Sequence, residues 1–160
     1  MRYLPLLLPV FCLFACGADG GNLPGYSDLN LLRYDIPLII QAPDSAKVKT
    51  ASLSGVMQDV TVRSPEDRYA VQILASQAST SDMARLKAEQ LELVRSNRYF
   101  ERVVKEDEDG FIFENKIDST AIYGFRHIVY QGSREFIFQN SFEGTFTLPE
   151  VERMYTAVRN

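Results

Sequence analysis

The segment from Thr120 to Gln131 predicts a long strand with apolar residues on both faces, and this pattern limits the folds open to the chain. Ile122, Ile128 and Tyr130 alternate on one side, and Tyr123, Phe125 and Val129 alternate on the other. A sheet that is exposed on one face shows apolar residues on only one side of its strands. We therefore expect this strand to lie inside a sheet that is covered on both faces.

Turn signals divide the rest of the chain into further strands. Ser54-Gly55, Asp109-Gly110 and Gln131-Gly132-Ser133 are typical of hairpin turns between alternating segments. The first predicted strand, Tyr34 to Ile40, contains Pro37, which favours an edge position. The other predicted strands cover residues 47–53, 56–62, 68–75, 100–107, 110–116 and 134–140.

Two helices are predicted by their capping residues. Ser79, with Asp82 three residues later, predicts the start of the first helix, which ends near Asn97. Thr147, with Pro149 and Glu150 after it, predicts the start of the second. The apolar face of the second helix is predicted to carry Val151, Met154, Tyr155 and Val158.

The order of elements predicts an α+β fold. Strands, one helix, a three-stranded meander and a closing helix follow one another along the chain, which favours an antiparallel sheet with helices packed on it. About 130 residues lie beyond the N-terminal segments described next, which suits one domain. We expect that domain to cover residues 29–160.

The N-terminus has the pattern of an export signal. Arg2 precedes a short apolar run that is too short and too interrupted to span a bilayer. The run ends in Leu13-Phe14-Ala15-Cys16, which resembles the lipobox of bacterial lipoproteins. This resemblance implies that residues 1–15 are a signal peptide and that Cys16 is lipidated. Residues 16–28, rich in glycine, are then expected to be a flexible tether.

The same resemblance implies a location. In that family an aspartate directly after the cysteine retains the protein in the inner membrane, whereas Gly17 follows Cys16 here. We therefore expect a lipid-anchored protein of the bacterial cell envelope, at the outer membrane and facing the periplasm. The alternative is an ordinary secretory signal in which Cys16 lies near the cleavage site by chance.

The domain itself resembles the PsbP/Mog1/DcrB-like domains. The segments that carry the likeness are Ile39-Ile40-Gln41-Ala42-Pro43, Glu108-Asp109-Gly110-Phe111-Ile112-Phe113 and Pro149-Glu150-Val151-Glu152-Arg153-Met154. The resemblance implies an α-β-α sandwich and a non-catalytic accessory or assembly role. It transfers no binding residues, because the family shares none.

Charge and cysteine content exclude several classes of function. Loss of Arg2 with the leader changes the formal charge from −4 to −5, since 16 basic residues then face 21 acidic ones. A mildly acidic domain argues against nucleic-acid binding. The only cysteines are Cys12 and Cys16, so we expect no disulfide, thiol nucleophile or thiolate metal site in the mature domain. We expect no cofactor and no metal.

His127 is the only histidine, and it lies on the long predicted strand. A general base needs a nucleophile and an orienting group nearby, and no known nucleophile motif accompanies it. A packed structural histidine is the simpler interpretation. The acidic run from Glu106 to Gly110 lacks the spacing of a calcium loop, so a solvated turn is favoured over weak calcium binding.

The aromatic meander is the candidate binding region. Most of its rings are expected in the core, and a groove lined by the others, for an apolar ligand or a partner's peptide, is the alternative use of this region. Arg126 and Arg134 could anchor an anionic group there, or could pair with Glu114 or Glu135 across the strands. The candidate groove residues are Tyr123, Phe125, Arg126, His127, Arg134 and Phe136.

These observations predict a membrane-anchored lipoprotein that acts as a non-catalytic binding or assembly module with an envelope protein as partner. A carrier of a small apolar or anionic ligand is the first alternative. A hydrolase that uses carboxylates and His127 without a recognisable motif is the second.

Overall fold

The computed structural model describes residues 23–53 and 55–159. In these residues the chain forms nine strands and two helices. The strands are β1 Tyr26–Asn30, β2 Ile39–Pro43, β3 Lys47–Leu53, β4 Met57–Ser64, β5 Tyr69–Gln77, β6 Phe100–Asp107, β7 Gly110–Ile117, β8 Thr120–Gln131 and β9 Arg134–Asn140. The helices are α1 Met83–Arg95, between β5 and β6, and α2 Leu148–Val158, after β9.

Two antiparallel sheets contain all of these strands. The larger has seven strands in the order β3-β4-β5-β9-β8-β7-β6, and the smaller pairs β1 with β2. β8, predicted from Thr120 to Gln131, lies well inside the large sheet with β9 and β7 as neighbours. The prediction of an α+β fold is confirmed at this level.

Helix α2 and the small sheet cover one face of the large sheet. Val151, Met154 and Tyr155 are fully buried there, in one cluster with Phe125 and Phe138. The predicted apolar face of α2 is therefore confirmed, as is its capping box, in which the Thr147 backbone N–H donates to Glu150 at 2.8 Å.

Helix α1 packs on the opposite face of the same sheet. Its Leu91 and Val94 lie against Phe111 and Phe113 of β7. The register shows why these two rings lie on this face: Ile112, between them, is opposite Phe125 and so belongs to the α2 side. The sheet therefore carries one helix on each face, and β8 is apolar on both sides for that reason.

The hairpin strands agree with the sequence patterns, but the start of α1 does not. Asp82, not Ser79, is the N-cap, and its carboxylate accepts from the backbone N–H groups of Ala84 and Arg85. Both residues can cap a helix, but Thr80 receives a hydrogen bond from the Asp82 N–H and holds the preceding turn outside the helix.

The strand predicted from Tyr34 to Ile40 is wrong over its first half. Residues Leu32–Tyr34 form a 3₁₀ turn, and Asp35 follows with a positive φ of 62°. Pro37 has no N–H to donate to a strand ladder, and regular pairing begins only at Ile39. The turn is closed by the Leu31 N–H, which donates to the Leu38 carbonyl at 3.0 Å.

The folded domain begins earlier than the predicted boundary at residue 29. Tyr26 to Asp28 belong to β1 and pair with β2, so the predicted tether of residues 16–28 is wrong over this part. The Leu23 N–H already donates to the side chain of Gln41 at 2.9 Å. The predicted signal peptide (1–15), the lipid site Cys16 and the tether up to residue 22 lie outside the described residues.

Gly110 is required where β7 leaves the β6–β7 hairpin. A Cβ atom at this position would lie 2.4 Å from the carbonyl oxygen of Arg126 and 2.8 Å from the Tyr155 hydroxyl. The chain can pass between β8 and α2 here only without a side chain. This close approach fixes the acidic hairpin turn against the C-terminal part of α2.

Candidate binding cleft

The two faces of the large sheet are covered unequally. On the α2 side the core cluster extends from β8 across to Val60 and Val62 of β4. On the α1 side the helix contacts the β7–β8 half of the sheet. The odd-numbered residues from Lys47 to Ala51 on β3 and from Asp59 to Arg63 on β4 point to this second face, and all of them are polar or small. The β3–β5 half of this face is therefore open.

A cleft of about 630 Å³ lies on this open half. Strands β3, β4 and β5 form its floor, and the segment that follows β9 forms one wall. The volume is in the range of pockets that hold small molecules. The side chains that give the cleft its chemistry are Lys47, Lys49, Asp59, Thr61, Gln72 and Phe142.

A chain of hydrogen bonds fixes the polar floor of the cleft. Gln139 Nε2 donates to Gln72 Oε1 at 2.7 Å, and Gln72 Nε2 donates to Asp59 Oδ2 at 2.7 Å. Thr61 Oγ1 donates to the other carboxylate oxygen of Asp59 at 3.4 Å. Gln139 is buried, so this series of hydrogen bonds is anchored inside the protein. A polar floor held in this way presents its groups in fixed directions.

Two lysines on β3 are the unpaired cations of the cleft, and Glu66, on the turn after β4, is an unpaired carboxylate in its lining, as far as the described residues show. Lys47 and Lys49 are exposed, and neither makes a side-chain hydrogen bond or ion pair with another residue of the described chain. Arg63, opposite Lys47, is instead paired with Glu143 at 2.5 Å. The lysines alternate on one strand and so lie about 7 Å apart along it. Their charge is available to a ligand.

Phe142 supplies an apolar surface at the edge of the cleft. Its side chain is 84% exposed, the highest value among the large apolar residues of the described chain. The backbone beside it is held, because the Ser141 N–H donates to the Ala70 carbonyl at 2.8 Å and Glu143 pairs with Arg63. An exposed ring on an anchored segment is a suitable surface for stacking.

The six residues of the predicted groove do not share one surface. Phe125 and Phe136 are fully buried in the core, and Tyr123 packs against the same cluster. Arg126, opposite Phe111, points to the other face of the sheet. The aromatic side of the meander is therefore filled by α2 and is not open in this structure.

The Arg134 guanidinium makes its contacts within the fold. It donates to the Asp35 carbonyl at 2.8 Å and to Gln58 Oε1 at 3.0 Å, and its guanidinium lies over the ring of Phe136. These contacts tie β9 to the loop before β2. Neither predicted arginine pairs with Glu114 or Glu135: Glu114 accepts from Arg102 and Glu135 from Ser76.

Arg126 is a largely buried cation without a carboxylate partner in the described chain. Its one hydrogen bond runs from Nη1 to the Phe125 carbonyl at 3.0 Å, and its Cζ lies 5.7 Å from the centroid of Phe113. Burial lowers its pKa from 12.5 to about 10. Arg126 is opposite Gln139 in the pairing of β8 with β9. It therefore lies beside the buried end of the hydrogen-bond series from Gln139 through Gln72 to Asp59.

His127 lies on the α2 side and is buried. It is 5% exposed and packs between the rings of Phe138 and Tyr155. Its Nδ1 lies 3.6 Å from an Asp109 carboxylate oxygen, which is too long for a hydrogen bond. Burial lowers the pKa of His127, and the nearby positive charge of Arg159 acts in the same direction, whereas Asp109 opposes them. These surroundings favour a neutral His127 that packs beneath α2 as a structural residue.

The acidic hairpin turn is held by the C-terminal part of α2. Asp107 accepts from the Tyr155 hydroxyl at 3.0 Å and from Arg159 at 2.8 Å, and Arg159 also lies 3.0 Å from Asp109. Burial alone would raise the pKa of Asp107, but the Tyr155 hydrogen bond and the Arg159 charge hold it below its usual value. Tyr155 and Arg159 therefore already bind the Asp107 and Asp109 carboxylates. Across the described residues, no cluster of three or more acidic, histidine or cysteine side chains forms that could hold a metal ion.

The cleft residues were missed by sequence reasoning, although a signal for them exists. Lys47 and Lys49 alternate along β3, and Asp59, Thr61 and Arg63 alternate along β4, on the side opposite the buried Val60 and Val62. This period of two indicates a face that is polar over two adjacent strands. The aromatic content of the meander had favoured a different region.

The fold and the cleft define an α+β protein with a pocket on the uncovered half of its sheet. Comparisons with protein-family models, with curated proteins and with solved structures find no match to this chain. Within the described residues, neither helix has the length and apolar character needed to cross a bilayer.

Proposed function

We propose that this protein is a non-catalytic binding module of the bacterial cell envelope, and that the cleft on the β3–β5 half of its sheet is the binding surface. The observation that carries the proposal is the cleft itself, whose polar floor is anchored by Gln139 and whose Lys47 and Lys49 pair with none of the described residues. Its envelope location rests on the likeness of residues 13–16 to a lipobox. Lipid on Cys16 would hold the domain at the outer membrane, facing the periplasm.

The finer fold proposal is a PsbP/Mog1/DcrB-like α-β-α sandwich. One helix on each face of a single antiparallel sheet supports it. An accessory or assembly role follows from that resemblance. The acidic net charge supports an envelope component rather than nucleic acid as the partner.

A hydrolase that uses His127 receives less support. The imidazole lies beneath α2, on the face of the sheet opposite the cleft, so a substrate in the cleft does not reach it. A carrier of a small anionic ligand remains the second candidate function. Lys47 and Lys49, which make no ion pair among residues 23–53 and 55–159, favour it, with the ligand in the cleft rather than between the meander aromatics.

Site-specific photocrosslinking in the native envelope tests the proposed function. A benzophenone amino acid replaces Ala51, which lines the cleft, in the full-length lipidated protein. The matched control carries it at Glu92, which is exposed on α1. We expect a discrete adduct from position 51 and none from position 92. Absence of an adduct at position 51, or the same adducts at both positions, contradicts binding through the cleft.

A Cys16→Ser variant with the same photocrosslinker at position 51 tests the anchor. We expect this protein to leave the membrane fraction while its domain remains folded, because the lipid provides the attachment. Continued membrane association of the variant at the wild-type level contradicts a lipid anchor.

A further inference from the structure

We infer that the cleft binds an acidic oligosaccharide, a chain of sugars that bears carboxylates. The inference rests on the proposed function, because it names the ligand of the same cleft. Three features of the described residues support it together: a rigid array of planar polar groups, two unpaired lysines, and an exposed aromatic ring at the rim.

The planar groups of the floor, the Gln72 amide and the Asp59 carboxylate, are suited to bind sugar hydroxyls. A hydroxyl donates one hydrogen bond and accepts others, so it is best bound by neighbouring donors and acceptors in fixed positions. Gln72 retains one amide N–H after its bond to Asp59, and the Asp59 carboxylate retains free lone pairs. The bond from Gln139 holds the Gln72 amide in one orientation, so its free N–H has a defined direction.

The lysines suit the carboxylates of the sugar chain. Lys47 and Lys49 lie on the side of the cleft formed by β3, beside the Asp59–Gln72 floor. The floor carries a negative charge on Asp59, so the part of a ligand that lies over the floor should present neutral hydroxyls, and its carboxylates should lie toward the lysines. A ligand that alternates carboxylates with neutral hydroxyls matches both parts of the cleft.

Phe142 suits the apolar face of a sugar ring. Hydroxyls project from the edges of a pyranose, and its C–H groups can lie flat against an aromatic ring. Phe142 is almost fully exposed and belongs to a segment anchored by the Arg63–Glu143 pair. An acidic peptide would use the lysines equally well, but it has no particular need for a hydroxyl-binding floor beside a stacking ring.

Calorimetric titration of the full-length lipidated protein in detergent micelles tests the inference. The probes are trigalacturonate, galacturonate, the neutral trisaccharide maltotriose and the acidic peptide tetraglutamate. We expect trigalacturonate to bind at least about tenfold more tightly than each of the others, because it alone combines linked carboxylates, hydroxyls and ring faces. Equal or tighter binding of tetraglutamate, or equal binding of galacturonate, overturns the inference.

Two lysine variants place the binding in the cleft. Lys49→Met is expected to weaken trigalacturonate binding by about tenfold, which is the effect of losing one charged contact. Lys116→Met removes an exposed lysine of β7 away from the cleft and is expected to change nothing. Both substitutions are at exposed positions, and equal thermal unfolding of the two variants confirms the fold. Equal affinity of the two variants overturns the assignment.

The two proposals fail in different ways. If position 51 forms an adduct in the envelope but trigalacturonate gives no binding heat, the saccharide inference is wrong and the cleft still binds a partner. If position 51 forms no adduct and no probe binds, the proposed function is also wrong.

Discussion

The amide of Gln139 donates to the amide oxygen of Gln72 at 2.7 Å, across the pairing of β9 with β5. Gln139 is buried, whereas Gln72 lies partly exposed in the cleft. The bond therefore connects the interior of the sheet to the binding surface, and it determines which side of the Gln72 amide faces Asp59.

Gln139→Leu is expected to affect binding more than stability. A neutral hydrogen bond contributes about 1 kcal/mol to the free energy of unfolding, and burial of the leucine side chain offsets part of the loss. Trigalacturonate affinity should fall several-fold, because the Gln72 amide then keeps only its bond to Asp59 and is held less firmly in one orientation. Urea unfolding and calorimetry measure the two effects. Gln77→Leu, an exposed position on β5, is the control, and equal affinity in both variants contradicts the role of Gln139.

Arg126→Met is expected either to leave the free energy of unfolding unchanged or to raise it by up to about 2 kcal/mol. The guanidinium is largely buried and has no carboxylate partner in the described chain, so its desolvation is poorly compensated. Methionine keeps an unbranched apolar stem against Phe113. Urea denaturation measures the change. A loss of more than about 1 kcal/mol would mean that the contacts of Arg126 outweigh its desolvation.

His127 is expected to make stability depend on pH below neutrality. Its folded pKa lies below the ordinary value of 6.5, so the unfolded chain binds the proton more readily. The free energy of unfolding is therefore highest above pH 6.5 and falls as the pH decreases from there toward the folded pKa. Burial against the rings of Phe138 and Tyr155 and the charge of Arg159 lower the pKa of His127, and Asp109, which also faces the imidazole, opposes them without reversing the direction.

Chemical denaturation between pH 8 and pH 5 measures this dependence, with His127→Phe as the comparison. The phenylalanine variant should show a smaller decrease, since it keeps an aromatic ring and removes the titrating group. The Asp67, Asp107 and Glu150 carboxylates, whose folded pKa values are lowered, contribute their own loss of stability at more acidic pH. Parallel curves for the two proteins would mean that His127 is not the source.

Gly110→Ala is expected to destabilise the protein by more than about 3 kcal/mol or to prevent folding. The added Cβ would lie 2.4 Å from the backbone oxygen of Arg126, and a backbone atom of a central strand cannot easily move away. Gly144→Ala is the matched control, since the nearest atom to its Cβ is 3.6 Å away. Thermal unfolding of the two variants gives the comparison. Similar midpoints would contradict the close approach.

The hairpins and the second helix could be predicted because their signals are local. Asp109-Gly110 and Gly132-Ser133 fix two turns of the meander, and Thr147 with Glu150 fixes the start of α2. Strand β1 could not, because Tyr26 to Asn30 show no strong alternation and are a strand only by pairing with β2. Such a strand depends on tertiary context rather than on its own sequence.

The candidate site was predicted less well, for a geometric reason. Arg126 was placed in one groove with Phe125 and His127 as an anchor for an anionic group, but adjacent residues of a strand point to opposite faces. The cleft depends on how far α1 extends over the sheet. That extent is set by packing of Leu91 and Val94 on Phe111 and Phe113, which no local pattern specifies.

The two outer strands of the large sheet have different regularity. β3 pairs with β4 without interruption from Lys47 to Leu53, whereas β6 changes register twice, between Phe100 and Arg102 and between Val103 and Lys105. Growth of the large sheet from copy to copy requires a regular strand at both of its edges, and in the part of the chain that the structure describes only the β3 edge is regular. Two copies that join through β3 use the regular edge of each large sheet and leave the β6 edges outermost, so, for the described residues, growth of the large sheet in this way closes at a dimer.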